Sequence, residues 1–133
     1  MKPEKLVEYW DNGNIKLEEW KLPNGDLHRE DGPALIEYYR NGNKYVEQWY
    51  KNNKWHREDG PSYIEWYEDG SVKYEMWEID GEFHREDGPA RTYYKKDGNI
   101  IDVQYWINGK ELTEEEWKIY RLPDTKIKRA LYD

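Results

Sequence analysis

All three histidines of this chain head the same six-residue string, His-Arg-Glu-Asp-Gly-Pro, which begins at His28, His56 and His84. On an extended segment, His56 and Glu58 share one face while Arg57 and Asp59 share the other. A histidine beside a carboxylate can move a proton or hold a metal ion. A shared metal fails on distance: equivalent residues of successive hairpins lie two or three strands apart, about 10–14 Å, whereas ligand bonds are near ~2 Å. One His and one Glu within a single copy would hold a metal only weakly. Other catalytic patterns are absent from the sequence. Ser62 and Ser71 are the only serines, neither in a Gly-x-Ser-x-Gly setting. The glycines are spread one per turn rather than gathered into a phosphate cradle. There is no cysteine, which excludes disulfides, thiolate metal sites and cysteine nucleophiles.

Active sites are single and asymmetric, whereas identical residues repeated along a chain solve a repeated packing problem. His28, His56 and His84, with Arg29, Arg57 and Arg85, therefore read as repeat-structural residues of a non-enzymatic chain with no metal and no cofactor. The expected contacts are His across the turn, Arg to acids of the neighbouring unit, and Asp-Gly shaping the bend.

The elements that position the motif follow from the same period. Gly42, Gly70 and Gly98 recur every 28 residues, Gly13 precedes Gly42 by 29, and Gly25, Asn53, Gly81 and Gly109 form a second turn series. Residues 6–112 thus comprise about four units. In 34–40, 62–68 and 90–96 apolar residues fall two apart, which indicates strands. Asn41-Gly42, Asp69-Gly70 and Asp97-Gly98 supply the positive φ of tight hairpins. Returning strands carry Glu18 and Trp20, Glu47 and Trp49, and Glu75 and Trp77, with Trp106 continuing the tryptophan series. The Gly-Pro step then interrupts pairing. At the end, Thr113 and Glu116 form a capping box for a helix near 114–121 that covers the last strand edge. The expected fold is all-β: an antiparallel meander of hairpin repeats over 1–112, then a short capping helix and basic tail over 113–133.

Leu, Ile, Val and Phe total only 22 of 133 residues, against 8 Trp and 13 Tyr. A buried ring removes roughly 150–250 Å² from water, so the core is expected to be aromatic, a ladder of Trp20, Trp49 and Trp77 beside Leu27, Trp55 and Phe83. No apolar run approaches the ~20 residues of a membrane helix and no secretory segment follows Met1, so a cytoplasmic protein is expected. The net charge of -8 divides into -11 over residues 1–117 and +3 from Lys118 onward. An acidic body repels phosphates and anionic lipids, so neither nucleic acid nor membrane is an expected partner.

The string His-Arg-Glu-Asp-Gly-Pro-Ala at 28–34 and 84–90, with Ser62 in place of Ala in the middle copy, resembles repeat proteins of bacteriophages and giant viruses, distant variants of the MORN repeat. The closing Asn108-Gly109-Lys110-Glu111-Leu112-Thr113-Glu114-Glu115-Glu116 is similar to the ending such arrays carry. The resemblance implies a stack of hairpins, a viral origin, and a scaffold or binding role without activity of its own.

The residues themselves suggest where a partner docks. A column of Tyr39 and Tyr67 with Glu37 and Glu65 is expected on the less covered sheet face, an acidic, tyrosine-bearing surface for a protein, in a host cell if the chain is viral. The competing expectation is an inhibitor of a host defence or nucleic-acid enzyme that mimics nucleic acid with its acids. The strand edge around Leu6 to Trp10 leaves the chain a monomer or an edge-paired homodimer.

Overall fold

The structure, a computed structural model, describes residues 2–121. Along the chain run β1 (Glu4–Tyr9), β2 (Ile15–Lys21), β3 (Leu35–Tyr38), β4 (Lys44–Gln48), β5 (Tyr50–Lys51) and β6 (Lys54–Trp55). They are followed by β7 (Tyr63–Trp66), β8 (Val72–Met76), β9 (Glu78–Ile79), β10 (Glu82–Phe83), β11 (Arg91–Tyr94), β12 (Ile100–Ile107), β13 (Lys110–Leu112) and one helix, α1 (Glu114–Tyr120). Nine strands form a single antiparallel sheet in the order β1-β2-β3-β4-β7-β8-β11-β12-β13, and β5–β6 and β9–β10 are separate two-stranded ribbons. The expected all-β meander with a C-terminal helix is therefore what the chain forms. No helix among the described residues is long and apolar enough to cross a membrane. The basic tail expected beyond the helix lies, from residue 122 on, outside the described residues.

Two turn chemistries build each unit. In the first, Gly42 takes φ +93° and its N–H donates to the Tyr39 carbonyl, while Asn41 Oδ1 accepts from the Asn43 N–H at 2.9 Å. In the second, both central residues lie at positive φ in the later units, as at Asp80 (+48°) and Gly81 (+83°), which matches the twist of a two-residue hairpin. In the first unit Asn24-Gly25 instead repeats the first chemistry, with Gly25 at +91° and Asn24 Oδ1 accepting from the Asp26 N–H. The returning strand is shorter than expected. β4 ends at Gln48 and β8 at Met76, and Trp49 and Trp77 are joints where the chain leaves the large sheet for its ribbon. Their N–H groups donate to the carbonyls of Ser62 and Ala90 in the next unit.

Across one face runs a row of directly opposed residues: Val7, Glu18, Ile36, Glu47, Ile64, Glu75, Thr92 and Val103. Carboxylates alternate with apolar side chains, and they survive burial because each has a donor. Tyr38 and Lys5 donate to Glu18, Lys44 to Glu47, and Tyr94 to Glu75 at 2.7 Å. Burial raises the Glu18 pKa, but the hydrogen bonds from Lys5 and Tyr38 outweigh it and leave the carboxyl below its ordinary range. The opposite face carries a chain of ring contacts, Tyr50–Trp55–Tyr63–Tyr74–Tyr93, with centroids 4.5, 5.6, 5.7 and 4.4 Å apart.

The tryptophan ladder expected as the core is corrected. Trp20, Trp49 and Trp77 are only half-buried, and among the described residues the buried apolar ones are Ala34, Ile36, Val46, Ala90, Ile107, Leu112 and Trp117. A thin sheet has no interior wide enough for an indole column, so small and β-branched residues fill its closest-packed places. Trp106 also leaves the series. The Arg29, Arg57 and Arg85 N–H groups donate to the carbonyls of Tyr50, Glu78 and Trp106, which makes Tyr105 the counterpart of Trp49 and Trp77. The expected capping box is present at Thr113 and Glu116. α1 docks through Trp117, whose ring lies 4.5 Å from that of Tyr105.

Candidate functional site

Each His-Arg-Glu-Asp-Gly-Pro string folds into the same device. His28 Nδ1 accepts the Asn52 N–H at 3.0 Å, His56 Nδ1 the Asp80 N–H at 3.1 Å, and His84 Nδ1 the Asn108 N–H at 2.9 Å. Each histidine therefore reads the second turn of the following unit, a reach of 24 residues rather than the local turn expected. With Nδ1 accepting, the proton sits on Nε2, which faces Glu30 at 2.9 Å, Glu58 at 3.4 Å and Glu86 at 3.6 Å.

The arginines stack where the sequence suggested ion pairs between units. The guanidinium carbons of Arg29, Arg57 and Arg85 each lie 3.9 Å from the ring centroids of Trp20, Trp49 and Trp77. The acid partner belongs to the same string: Nε donates to Asp31, Asp59 and Asp87 at 3.2, 3.1 and 2.9 Å. A second N–H reaches the carbonyls of Pro33, Pro61 and Pro89. Glycine leaves room for the stacked guanidinium, since a Cβ at Gly32, Gly60 or Gly88 would lie 2.7, 2.6 or 2.7 Å from its carbon. The histidine, arginine, aspartate and glycine of the string thus each have a packing reason, and the histidine and arginine bonds are made within the fold.

The arrangement leaves pairs of outward carboxylates. Side chains of Glu30, Asp31, Glu58, Asp59, Glu86 and Asp87 are 66–88% exposed. Between successive strings lie open troughs of 320 and 510 Å³, with Trp49 or Trp77 in the floor and acids on both rims. A further hollow precedes the first string, over Trp20, but it differs: Glu30 and Asp31 line one side only, and Lys2 and Pro3 line the other. The Arg85 hydrogen bond holds the Asp87 carboxyl below its usual range, and Lys51, with His28 behind it, does the same for Glu30. Lys51 stands 3.3 Å from Glu30, whereas Ile79 takes its place in the next trough, leaving that one more acidic.

The sequence-predicted docking column is placed on the face opposite the buried glutamates. Tyr39, Tyr67, Glu37 and Glu65 are all half-buried. Tyr39 Oη donates to the Trp66 carbonyl at 2.7 Å and Tyr67 Oη to the Tyr94 carbonyl at 2.8 Å, so both hydroxyls tie one unit to the next. Lys73 and Lys96 flank the Tyr67 ring at 5.6 and 5.7 Å, and Lys73 also pairs with Glu65 at 3.2 Å. Among the described residues, no three His, Cys, Asp or Glu converge as a metal site.

One polar pair was not read from the sequence. In the middle copy Ser62 replaces the motif alanine, and its Oγ donates to buried Glu78 at 2.9 Å. Glu78 stands where Tyr50 and Trp106 stand in the flanking units, so the two departures compensate each other. Their joint departure from the repeat was the available signal. Burial raises the Glu78 pKa, with Ser62 and Arg91 pulling it partly back. The folded chain then binds that proton more tightly than the unfolded chain, so Glu78 costs stability as pH rises above the ordinary carboxylate range. Glu78→Gln is expected to stabilise the fold by about 1 kcal/mol at pH 7 and to leave it unchanged near pH 4. Urea unfolding at both pH values checks this, and a variant weaker at pH 7 would refute it.

No protein-family model, curated protein or solved structure matches the chain.

Proposed function

We propose that the chain is a non-enzymatic binding module that takes a basic, extended segment of a protein partner along its two acid-rimmed troughs. The observation that supports this is their equivalence: the same exposed carboxylate pair and the same half-buried indole return in each unit. Two strands separate one trough from the next, about 10 Å. A polyproline II segment advances ~3.1 Å per residue with three residues per turn, so a Lys or Arg at every third position returns to the same side after about 9.3 Å. The resemblance to hairpin arrays with scaffold roles agrees with this reading, as does the exposure of the carboxylates while His and Arg are engaged within the fold. The tyrosine column supports it less, because its hydroxyls are bonded and lysines flank Tyr67. Mimicry of nucleic acid gains no support from spacing, since duplex DNA carries a phosphate every ~3.4 Å of axis per strand.

The test uses peptides of identical composition with arginine at every third or every second residue. The every-third peptide is expected to bind at least about tenfold tighter at low salt, and added salt should weaken it. Glu30→Gln, Glu58→Gln and Glu86→Gln combined keep an acceptor for each histidine while removing three charges, and should abolish the preference. Tyr39→Phe with Tyr67→Phe should leave it intact. Affinity indifferent to arginine spacing, or sensitive to the tyrosines alone, would overturn the proposal.

A further inference from the structure

Among the described residues the large sheet has two open edges, and they are the two halves of a junction that the chain builds three times internally. Within the array, β2 pairs with β3, β4 with β7 and β8 with β11, each joining the returning strand of one unit to the first strand of the next. β1 is a first strand, and among the described residues no strand pairs with its outer edge. β12 is a returning strand whose outer edge meets β13 only from Tyr105 to Ile107, which leaves Ile100–Gln104 unpaired on that side among the described residues. The exposed large apolar side chains of the described residues are Leu6, Tyr9, Ile100 and Ile101, at 46, 63, 59 and 58%. All four lie on these two strands. α1 packs at the far end of β12, on Tyr105, Ile107 and Leu112.

We infer that copies of this chain join end to end, the outer edge of β1 in one copy pairing antiparallel with Ile100–Gln104 of β12 in the next. An open sheet edge is a template for another strand, and a contact between two different patches propagates instead of closing. The internal registers set the pairing. Leu35 faces Glu19, Ile36 faces Glu18 and Glu37 faces Leu17, while Leu6, Val7 and Glu8 hold the places of Leu35, Ile36 and Glu37. At the end junction Leu6 therefore meets Gln104, Val7 meets Val103 and Glu8 meets Asp102. Tyr9, in the place of Tyr38, comes against Val103, which stands where internal junctions have a glutamate. The junction carries no charge apart from one defect, the two facing carboxylates of Glu8 and Asp102, and like charges directly opposed weaken a strand pair.

That defect gives the test a sign. Sedimentation velocity of the full chain, from about 10 µM to about 1 mM, should show a sedimentation coefficient that keeps rising without a dimer plateau. Asp102→Lys, and separately Glu8→Lys, should each tighten association about tenfold by turning repulsion into an ion pair. Both changes in one chain place Lys against Lys and should return association to the wild-type level, although the chain is then the least acidic of the set. Within its own copy Glu8 faces Leu17 and Asp102 faces Tyr93, so neither change removes a cross-strand ion pair. Wild type and Asp102→Lys both monomeric throughout would overturn the inference. So would a plateau at dimer unaffected by Asp102→Lys, which would mean β1 pairing with β1, or a double variant that associates more tightly than either single one. Peptide binding at the troughs does not involve these edges, so the two proposals fail independently.

Discussion

Trp117→Ala is expected to cost about 3–5 kcal/mol, the range for deleting a large buried ring. Trp117 is 7% exposed and packs with Ile107 and Leu112, at 6 and 3%; its ring stacks on Tyr105, and the Arg121 guanidinium lies 4.6 Å from it. Tyr105 is the counterpart of Trp49, so the indole of Trp117 occupies the place that an arginine fills in the internal units. A helix of 7 residues has little stability of its own, and without its anchor α1 should detach from the sheet. Trp117→Phe separates packing from polarity. The Trp117 Nε1 is buried without a hydrogen-bond partner, so phenylalanine removes an unsatisfied donor while keeping most of the ring, and should cost no more than about 1 kcal/mol. Chemical denaturation of both variants checks the pair. Equal losses would show that ring packing does not hold the helix.

The second large effect is expected in the arginine sandwich of the middle string. Arg57→Ala loses the stack on Trp49 and the bonds to Asp59 and Pro61, about 2–3 kcal/mol in all. Gly60→Ala should cost about 1–2 kcal/mol for a different reason. The new Cβ meets the guanidinium at 2.6 Å, and the flexible arginine yields before the backbone does, giving up its stack. The two losses should not add. With Arg57 already alanine, nothing remains for the Gly60 Cβ to displace, so the double variant should match Arg57→Ala within about 0.5 kcal/mol. Additive losses would mean that Gly60 is needed for backbone conformation rather than for room.

Turn chemistry and period-two patterning were legible without coordinates. Asn41-Gly42 and its equivalents place the hairpins, Thr113 with Glu116 starts the helix, and the exclusion of a shared metal needed only strand spacing. The partners of His56 and Arg57 were not legible. The histidine reaches 24 residues forward to a backbone N–H, which no local pattern of side chains encodes. The arginine prefers an indole face to a distant acid because Asp59, two residues away, already satisfies its Nε. Trp106 does not continue the tryptophan series because the last unit, equal in length to the one before it, carries Tyr105 at the Trp77 position and its tryptophan one position later, and in a strand one position moves a side chain to the other face.

The amino-acid sequence by itself determined the period, the turns, the antiparallel meander and the closing helix, because these depend on φ preferences and on alternation within a few residues. The tertiary structure alone decided which rings are buried, which acids are exposed and which strand edges stay open. Those outcomes depend on what the neighbouring unit brings into contact. A glutamate in the sequence is only a charge until packing assigns it a place: Glu47 lies under its neighbours with a lysine as partner, whereas Glu58 stands in water at the rim of a trough.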